Sequence, residues 1–376
     1  MGAAGKVDRF QRRVPVLGVP LAVIYKYFDD QGNYLAAMLA FYAFIAIFPL
    51  LLLATSILGF LLQGFPDLER ATLDSALAQF PIIGDELGRP GRLRGSVSAI
   101  VVGGFGALYG ALGLGLGLQN AQAQAWGVPR NSRPHPVLTR LTSLLLLVVA
   151  GSAILTVSVF SAVLTGTELV GTLAQVGWFR WAVRLVTVII LALMLTVLLR
   201  MASARASAHT IRRAFPGAVT MAVLWQLLQY LGTVYVARVL GATDGMDATF
   251  ALVLGLMGML YIGAIMGVLG IEVNVVLARN LWPRALATPF TDRVDLTDAD
   301  RRAYAMYAQT QRHKGFETVT VRFDGRDGDT HEILLDPTTE EEIRQRIPSA
   351  PPFSWQDPAG RDESDGSDSS PTDRRG

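Results

Sequence analysis

Long apolar stretches alternate with polar connections between Leu35 and Ala278. Six stretches are nearly free of charge, and each can form a helix of the roughly 20 residues that cross a hydrocarbon core. Helices are expected because an open strand would leave backbone polar groups unpaired in lipid. The predicted spans are Leu35–Leu62, Ser96–Leu118, Leu141–Thr165, Trp181–Leu199, Phe215–Leu240 and Phe250–Ala278. The pattern therefore predicts an all-α polytopic membrane protein, a bundle of six transmembrane helices with a small cytoplasmic C-terminal extension.

An N-terminal segment, residues 1–34, precedes the first predicted span. Its apolar run Val14–Tyr25 is interrupted by Pro15 and Pro20, and Lys26 ends it without a small-residue cleavage site. A cleaved signal peptide would need such a site, so we expect the segment to stay in the mature protein. We predict that it lies at the membrane interface on the cytoplasmic side.

Beyond the predicted transmembrane domain, residues 35–282, the chain becomes polar. Residues 283–347 are predicted to form a cytoplasmic helix, opened by a capping box at Thr297 and Asp300, and a β-hairpin with Asp-Gly turn signals. Residues 348–376 are rich in Pro, Ser, Gly and Asp, so we expect an acidic disordered tail.

Charge is scarce and unevenly placed, which predicts the orientation. Hydrophobic residues make up 51% of the chain and charged residues 17%, where a soluble domain carries about a quarter. Basic residues concentrate in the N-terminal segment, in the second and fourth loops and after the last span: Lys6, Arg9, Arg12, Arg13, Lys26, Arg130, Arg133, Arg140, Arg200, Arg205, Arg212, Arg213, Arg279, Arg284 and Arg293. Cytoplasmic loops carry such an excess, so both termini are predicted to be cytoplasmic.

Two spans carry glycine at helical spacing. The second span contains Gly103, Gly106, Gly110, Gly113 and Gly117, and the sixth contains Gly263, Gly267 and Gly270, with Asn274 on the same face. Such stripes let neighbouring backbones approach closely, so we predict that both helices pack inside the bundle. Hinges for a moving helix are the alternative interpretation.

Polar side chains recur on one face of the fifth span. Gln226, Gln229 and Thr233 follow at steps of three and four, and Arg238 lies further on. A Gln facing lipid would cost several kcal/mol, so the stripe is predicted to face inward. It forms either an interhelical hydrogen-bond seam or the wall of a polar path for a solute.

The first and last spans each contain an unusual residue. Glu272 is an intramembrane carboxylate, which needs a partner, and we expect Arg212 and Arg213 to supply it. A structural ion pair is favoured here over a proton- or cation-coupling role. Pro49 lies in the middle of the first span and is predicted to kink it.

Several motifs give the chain a resemblance to a known family. They are Ala36–Pro49, Phe105–Ala107, Trp126–Val128, Arg213–Ala218 with Leu224-Trp225, and Gly270–Asn274. Their order and spacing resemble the YihY/virulence factor BrkB family of bacterial inner-membrane proteins. Phe41 and Ile271 depart from that pattern, in which Tyr and Ala are frequent.

The resemblance implies a six-helix protein of the bacterial plasma (inner) membrane with cytoplasmic termini. Members of the family are described as transporters or virulence-associated proteins, and the family has also carried a ribonuclease label. Ribonuclease activity is not expected of this chain. Its four histidines, His135, His209, His313 and His331, are scattered, and neither a paired-carboxylate motif nor a P-loop is present.

The sequence therefore predicts a protein that is not an enzyme and uses no cofactor or metal. Passive or secondary transport of a small solute or ion is the leading hypothesis. The alternative is a non-transporting scaffold or a lipid-handling protein of the cell envelope. The expected partners are the lipid bilayer and a small solute or ion, without nucleic acid, because basic loops follow from topology. None of these patterns selects an oligomeric state.

Overall fold

A computed structural model describes most of the predicted transmembrane domain and part of the C-terminal extension. It describes residues 14–61, 97–166, 177–203, 210–238, 246–286, 294–315, 317–324 and 330–335, with single residues 8, 11 and 288. Side chains are described in these ranges except at 48–61, 97–104, 107, 153–154, 157–166, 177–181, 235–237, 246–249, 252, 330–331 and 334–335. The predicted tail 348–376 lies outside the described residues.

Up to Arg279, the described residues form one short α-helix followed by six long ones. They are α1 (Pro15–Asp29), α2 (Gly32–Leu61), α3 (Val97–Ala125), α4 (Pro136–Gly166), α5 (Gly177–Ala202), α6 (Ile211–Arg238) and α7 (Met246–Arg279). The long helices, α2 to α7, coincide with the six predicted spans. α3 continues to Ala125, two turns beyond the predicted end at Leu118, because the polar residues there keep helical hydrogen bonding.

Three segments with described side chains are long and apolar enough to cross a membrane. They are Ala182–Ala202 of α5, Ile211–Val234 of α6 and Val253–Arg279 of α7. Shorter apolar segments, Gly32–Ile47 and Pro136–Ser152, belong to α2 and α4. These are the helices of a membrane protein, and crossing by all six stays a prediction.

The six long helices form a ring. Each packs most extensively on its neighbours in sequence, and α7 packs on α2 to close the circle. Contacts between helices two places apart, such as α3 with α5 or α7, are much smaller. The contacts of the described residues therefore arrange the six helices in a closed circle, with smaller contacts across it.

At one end of the ring, here called the foot, α3, α5 and α7 end and α2, α4 and α6 begin. α1 packs there on α7 and α2. Small, branched and aromatic side chains are fully or almost fully buried there: Ala22, Ala36, Ala121, Trp126, Leu199, Ala214, Ala218, Val275 and Val276. The foot is therefore a closed hydrophobic core, and the predicted interfacial segment is part of it.

The C-terminal extension forms a helix and a hairpin. α8 (Asp298–Thr310) begins at a capping box in which the Thr297 side chain accepts from the Asp300 backbone and the Asp300 side chain accepts from the Thr297 backbone. β1 (Val319–Asp324) pairs antiparallel with β2 (Thr330–Leu335). α8 docks on the foot, where Ala303 is fully buried in the same core as α1 and α7.

Candidate functional site

Six charged side chains from three regions of the chain meet at the foot. Lys26 and Asp29 belong to α1, Asp30 follows α1, Glu272 belongs to α7, Arg284 follows α7 and Asp300 belongs to α8. All except Asp29 are at most 1% exposed. Charged residues are almost never fully buried unless paired, so this cluster is the most unusual feature among the described residues.

The inner part of the cluster, here called the Lys26 triad, consists of Lys26, Asp30 and Glu272. Lys26 Nζ donates to Asp30 Oδ2 and lies 3.8 Å from Glu272 Oε2. Lys26 lies one turn before Asp30, at the end of α1, where a cation is favoured by the helix dipole and an acid is not. The helix end therefore brings the pair together, and α7 adds the second acid.

The predicted partners of Glu272 were wrong. Arg212 and Arg213 are exposed at the start of α6, whereas the ammonium group facing Glu272 is that of Lys26. Sequence distance concealed this pairing, because Lys26 and Glu272 are 246 positions apart and meet only once the ring closes. Both Glu272 carboxylate oxygens lack a hydrogen-bond donor among the described residues.

The outer part of the cluster, here called the outer trio, consists of Arg284, Asp29 and Asp300. Arg284 Nε donates to Asp300 Oδ1, and Arg284 Nη2 donates to Asp29 Oδ2 over 3.1 Å. The other Asp300 oxygen accepts from the Ala285 backbone N–H over 3.0 Å and from the Thr297 side chain over 2.8 Å. Asp300 thus caps α8 and anchors it to the segment after α7.

Tyrosine rings separate the two parts of the cluster. The Tyr307 ring centroid lies 4.9 Å from Lys26 Nζ, and the Tyr307 hydroxyl donates to Asp29 Oδ2 over 3.4 Å. Arg284 lies 5.5 Å from the Tyr304 ring centroid. Burial, reinforced by Asp30 and Asp29, raises the pKa of Tyr307 above its ordinary value, so the phenol stays protonated.

Charge in the triad depends on which groups keep their protons. Burial lowers the pKa of Lys26, but the carboxyl groups of Glu272 and Asp30 outweigh it, so the net pKa is raised and Lys26 stays charged. Burial raises the pKa of Asp30 above its ordinary value despite the attraction of Lys26. The site therefore holds a fixed cation beside an acid that retains its proton more readily than usual.

α6 and α7 approach closely just above the triad. Asn274 Oδ1 accepts from the Gly217 backbone N–H over 2.7 Å, and a Cβ on Gly217 would collide with the Gly270 carbonyl. Gly270 packs against Met221, and Gly263 lies in ordinary contact with α6 side chains. Asn274 is 1% exposed, and its Nδ2 has no acceptor among the described residues.

The predicted glycine stripe of α3 lies partly against α2. The contacts of a Cβ added to each glycine are Ala46 N at 2.7 Å for Gly110, the Tyr42 ring for Gly113 and Leu39 Cδ2 at 3.0 Å for Gly117. The side of α3 that carries these residues therefore has no room for a larger side chain.

Other glycines of the predicted stripes have no such contacts. A Cβ built on Gly106 of α3 or Gly267 of α7 meets no atom within 4 Å in the described part of the chain. Gly103 lies in the part of α3 whose side-chain surroundings are not described.

α2 is helical across Pro49, and the surroundings of that side chain also lie outside the described residues, so the predicted kink stays a prediction.

The polar stripe of α6 lies at the border between buried and exposed faces. Gln226 and Gln229 are half-buried, whereas Thr233 and Arg238 are exposed. Thr233 Oγ1 donates to the Tyr230 carbonyl over 2.8 Å, within its own helix. On the buried side of the stripe are Ala218, Met221, Ala222 and Leu228; on the exposed side are Val223, Leu227, Tyr230 and Leu231.

Amide side chains also join α3 to its neighbours at the foot. Gln119 Nε2 donates to Ser143 Oγ of α4 over 2.9 Å, and Gln122 Nε2 donates to the Leu199 carbonyl of α5 over 3.4 Å. Trp126 is 1% exposed beside them and faces Arg279, whose guanidinium lies 5.9 Å from its ring centroid. These bonds hold three helix ends together where the ring is closed.

Sequence reasoning missed Lys26, Asp30, Arg284 and Asp300 as site residues. A usable signal was present, since Lys26 is one of only three lysines among 33 basic residues and lies four positions before Asp30. The ionic pairing of Arg284 with Asp300 had no local signal beyond the capping box. In the described part of the chain no group of three or more acids and histidines is arranged to hold a metal ion.

Comparison with known proteins gives one match. The family model described as "Virulence factor BrkB" matches residues 23–293. That range includes the Lys26 triad and Arg284 but ends before α8, so Asp300 and Tyr307 lie outside it. No curated protein and no solved structure matches the chain significantly.

Proposed function

We propose that this chain, which belongs to the virulence factor BrkB family of membrane proteins, carries a small solute or ion across the plasma membrane. The transport is passive or secondary. The family match agrees with the resemblance drawn from the motifs, which is thereby confirmed. All six long helices cross the membrane in this proposal, with the foot and both termini on the cytoplasmic side. The arginines of the second and fourth loops, such as Arg130 and Arg212, lie at that end and support this orientation.

The observation that carries the proposal is the ring itself. Six helices pack mainly on their sequence neighbours in a closed circle, and α6 places Gln226 and Gln229 at the border between its buried and exposed faces. Amides are expensive to expose to lipid, so a polar path beside them suits them better than a lipid-facing surface. The closed foot supplies the barrier that a carrier needs at one end of its path.

The experiment is flux through the purified protein in proteoliposomes, with a panel of radiolabelled small solutes and inorganic ions. The wild type is expected to move at least one of them. Replacing both amides, Gln226→Leu with Gln229→Leu, removes two hydrogen-bonding groups worth about 1 kcal/mol each, so flux should fall about tenfold or more. Leu227→Ile, on the exposed face of the same helix, is the matched control and should leave flux unchanged.

A scaffold predicts a different result. No flux of any solute in the panel would contradict transport, whereas equal flux in the double variant and the wild type would exclude only the two amides from the path. A non-transporting scaffold or a lipid-handling protein of the envelope would then be the better interpretation. We assign the chain no catalytic role, no cofactor and no nucleic-acid partner in either case.

A further inference from the structure

The Lys26 triad contains more acid than base. One ammonium group faces two carboxyl groups, and all three side chains are at most 1% exposed. With both acids ionised the triad would carry a net negative charge out of contact with water. An uncompensated buried charge is so costly that the group takes up a proton instead.

The outer trio does not remove that excess charge. Arg284 and Asp300 neutralise one another, and the remaining acid, Asp29, has a side chain that is 22% exposed and can be solvated. Apart from its own members, the groups that face the triad are Asp29 from α1, Tyr307 from α8 and, further out, Arg284. A protonated Tyr307 contributes no charge, so the balance inside the triad is set by its own three members.

The hydrogen-bonding needs of the triad also indicate a proton on the carboxyl groups of Asp30 and Glu272. Asp30 and Glu272 both face the Lys26 ammonium group, and ionised carboxylates are hydrogen-bond acceptors only. Asp30 Oδ1 and both Glu272 oxygens find no donor among the described residues. A proton on either carboxyl group supplies a donor where the described residues offer these oxygens none.

A metal cation fits this place less well than a proton. Lys26 Nζ already occupies the position opposite both acids and would repel a second cation. A proton needs no such space, because it lies on the carboxyl oxygens themselves.

We propose that Asp30 and Glu272 hold one proton between them, and that this carboxyl pair is the proton-binding site through which transport is coupled to a proton gradient. The shared proton follows from the triad alone, whereas its coupling role rests on the transport function proposed above. With the proton bound, the triad is neutral and α1 stays docked on α7. Release of the proton leaves a buried negative charge, and water can solvate that charge only if α1 moves away from the foot.

The site is tested by infrared spectroscopy of the full-length protein in lipid nanodiscs. At neutral pH the wild type should show the C=O stretch of a protonated carboxyl group, and Glu272→Gln and Asp30→Asn should each remove it. Each amide can still hydrogen-bond to the remaining carboxylate, so both variants should elute as folded protein. Asp298→Asn, which removes an exposed acid, is the control and should keep the signal. A wild type without the signal, or a signal that survives in both variants, would overturn the shared proton.

The coupling role is tested in proteoliposomes under an imposed pH gradient. For whichever solute of the panel the wild type moves, the gradient should accelerate uptake, and Glu272→Gln should abolish that acceleration while Asp298→Asn keeps it. If the infrared signal behaves as expected but flux does not depend on the gradient, the coupling role is overturned and the shared proton is kept. An absence of flux for the whole panel would overturn the coupling role together with the transport function, while the infrared signal would still decide the proton site.

Discussion

The foot of the ring and its middle are built in different ways. At the foot, backbones of neighbouring helices touch at Gly217 and Gly270, and Ala214 and Val275 are fully buried. Higher in the ring, Gly267 has open space where a Cβ would lie, and Gln226 and Gln229 are only half-buried. α2 and α3 stay in close contact above the foot, at Gly110 and Gly113, so the looser packing is confined to the α6–α7 side of the ring.

The largest expected effect comes from breaking the Lys26 triad. Lys26→Met leaves two acids without their cation in a buried site, and we expect a loss of about 3–5 kcal/mol in the free energy of unfolding. Thermal unfolding in detergent measures it, with Lys314→Met at an exposed position as the control. Adding Glu272→Gln should recover part of the loss. An unfolding midpoint equal to that of the control would show that the foot does not depend on this charge.

A glycine comparison tests the two levels directly. Gly217→Ala places a Cβ against the Gly270 carbonyl and should cost about 1–3 kcal/mol through overpacking. Gly267→Ala meets open space and should be neutral or stabilising by up to about 1 kcal/mol, because alanine favours the helix. The unfolding midpoints of the two variants give the comparison. Equal losses would mean that both levels are packed tightly.

The pH dependence of stability tests the charge balance at the foot. The folded pKa of Asp30 lies above the free value of 3.8, so the folded protein binds more protons than the unfolded chain between these two values. Stability should therefore fall as pH rises through this window, by up to about 1.4 kcal/mol per pH unit, and level off above the folded pKa. Midpoints recorded across pH should flatten in Asp30→Asn. A slope unchanged from the wild type would assign it to other groups.

The smallest effect is expected at Thr233, in the polar stripe. Its hydroxyl donates to the carbonyl of Tyr230 in the same helix, so Thr233→Val should change stability by no more than about 0.5 kcal/mol. Unfolding of the variant beside the wild type checks this. A loss well above that value would show that Thr233 bonds a second helix and that the stripe is a seam.

The fold was easier to predict than the site. Apolar length alone located the six long helices, because the cost of leaving a backbone polar group in lipid admits few other structures. The capping residues Thr297 and Asp300 likewise marked the start of α8, since that bond is local. Glu272 was recognised as costly, but its partner Lys26 lies on an element that reaches it only through ring closure. Long-range pairings of this kind have no periodicity, so the chain pattern did not reveal them.

Cysteine labelling shows whether water reaches the inside of the ring. The chain contains no cysteine, so each introduced thiol reports one position without background. In membrane vesicles, Gln229→Cys should react with a charged, membrane-impermeant thiol reagent. Leu227→Cys on the exposed face and Leu228→Cys in the packed face should not react. A Gln229→Cys variant as unreactive as both neighbours would contradict the account.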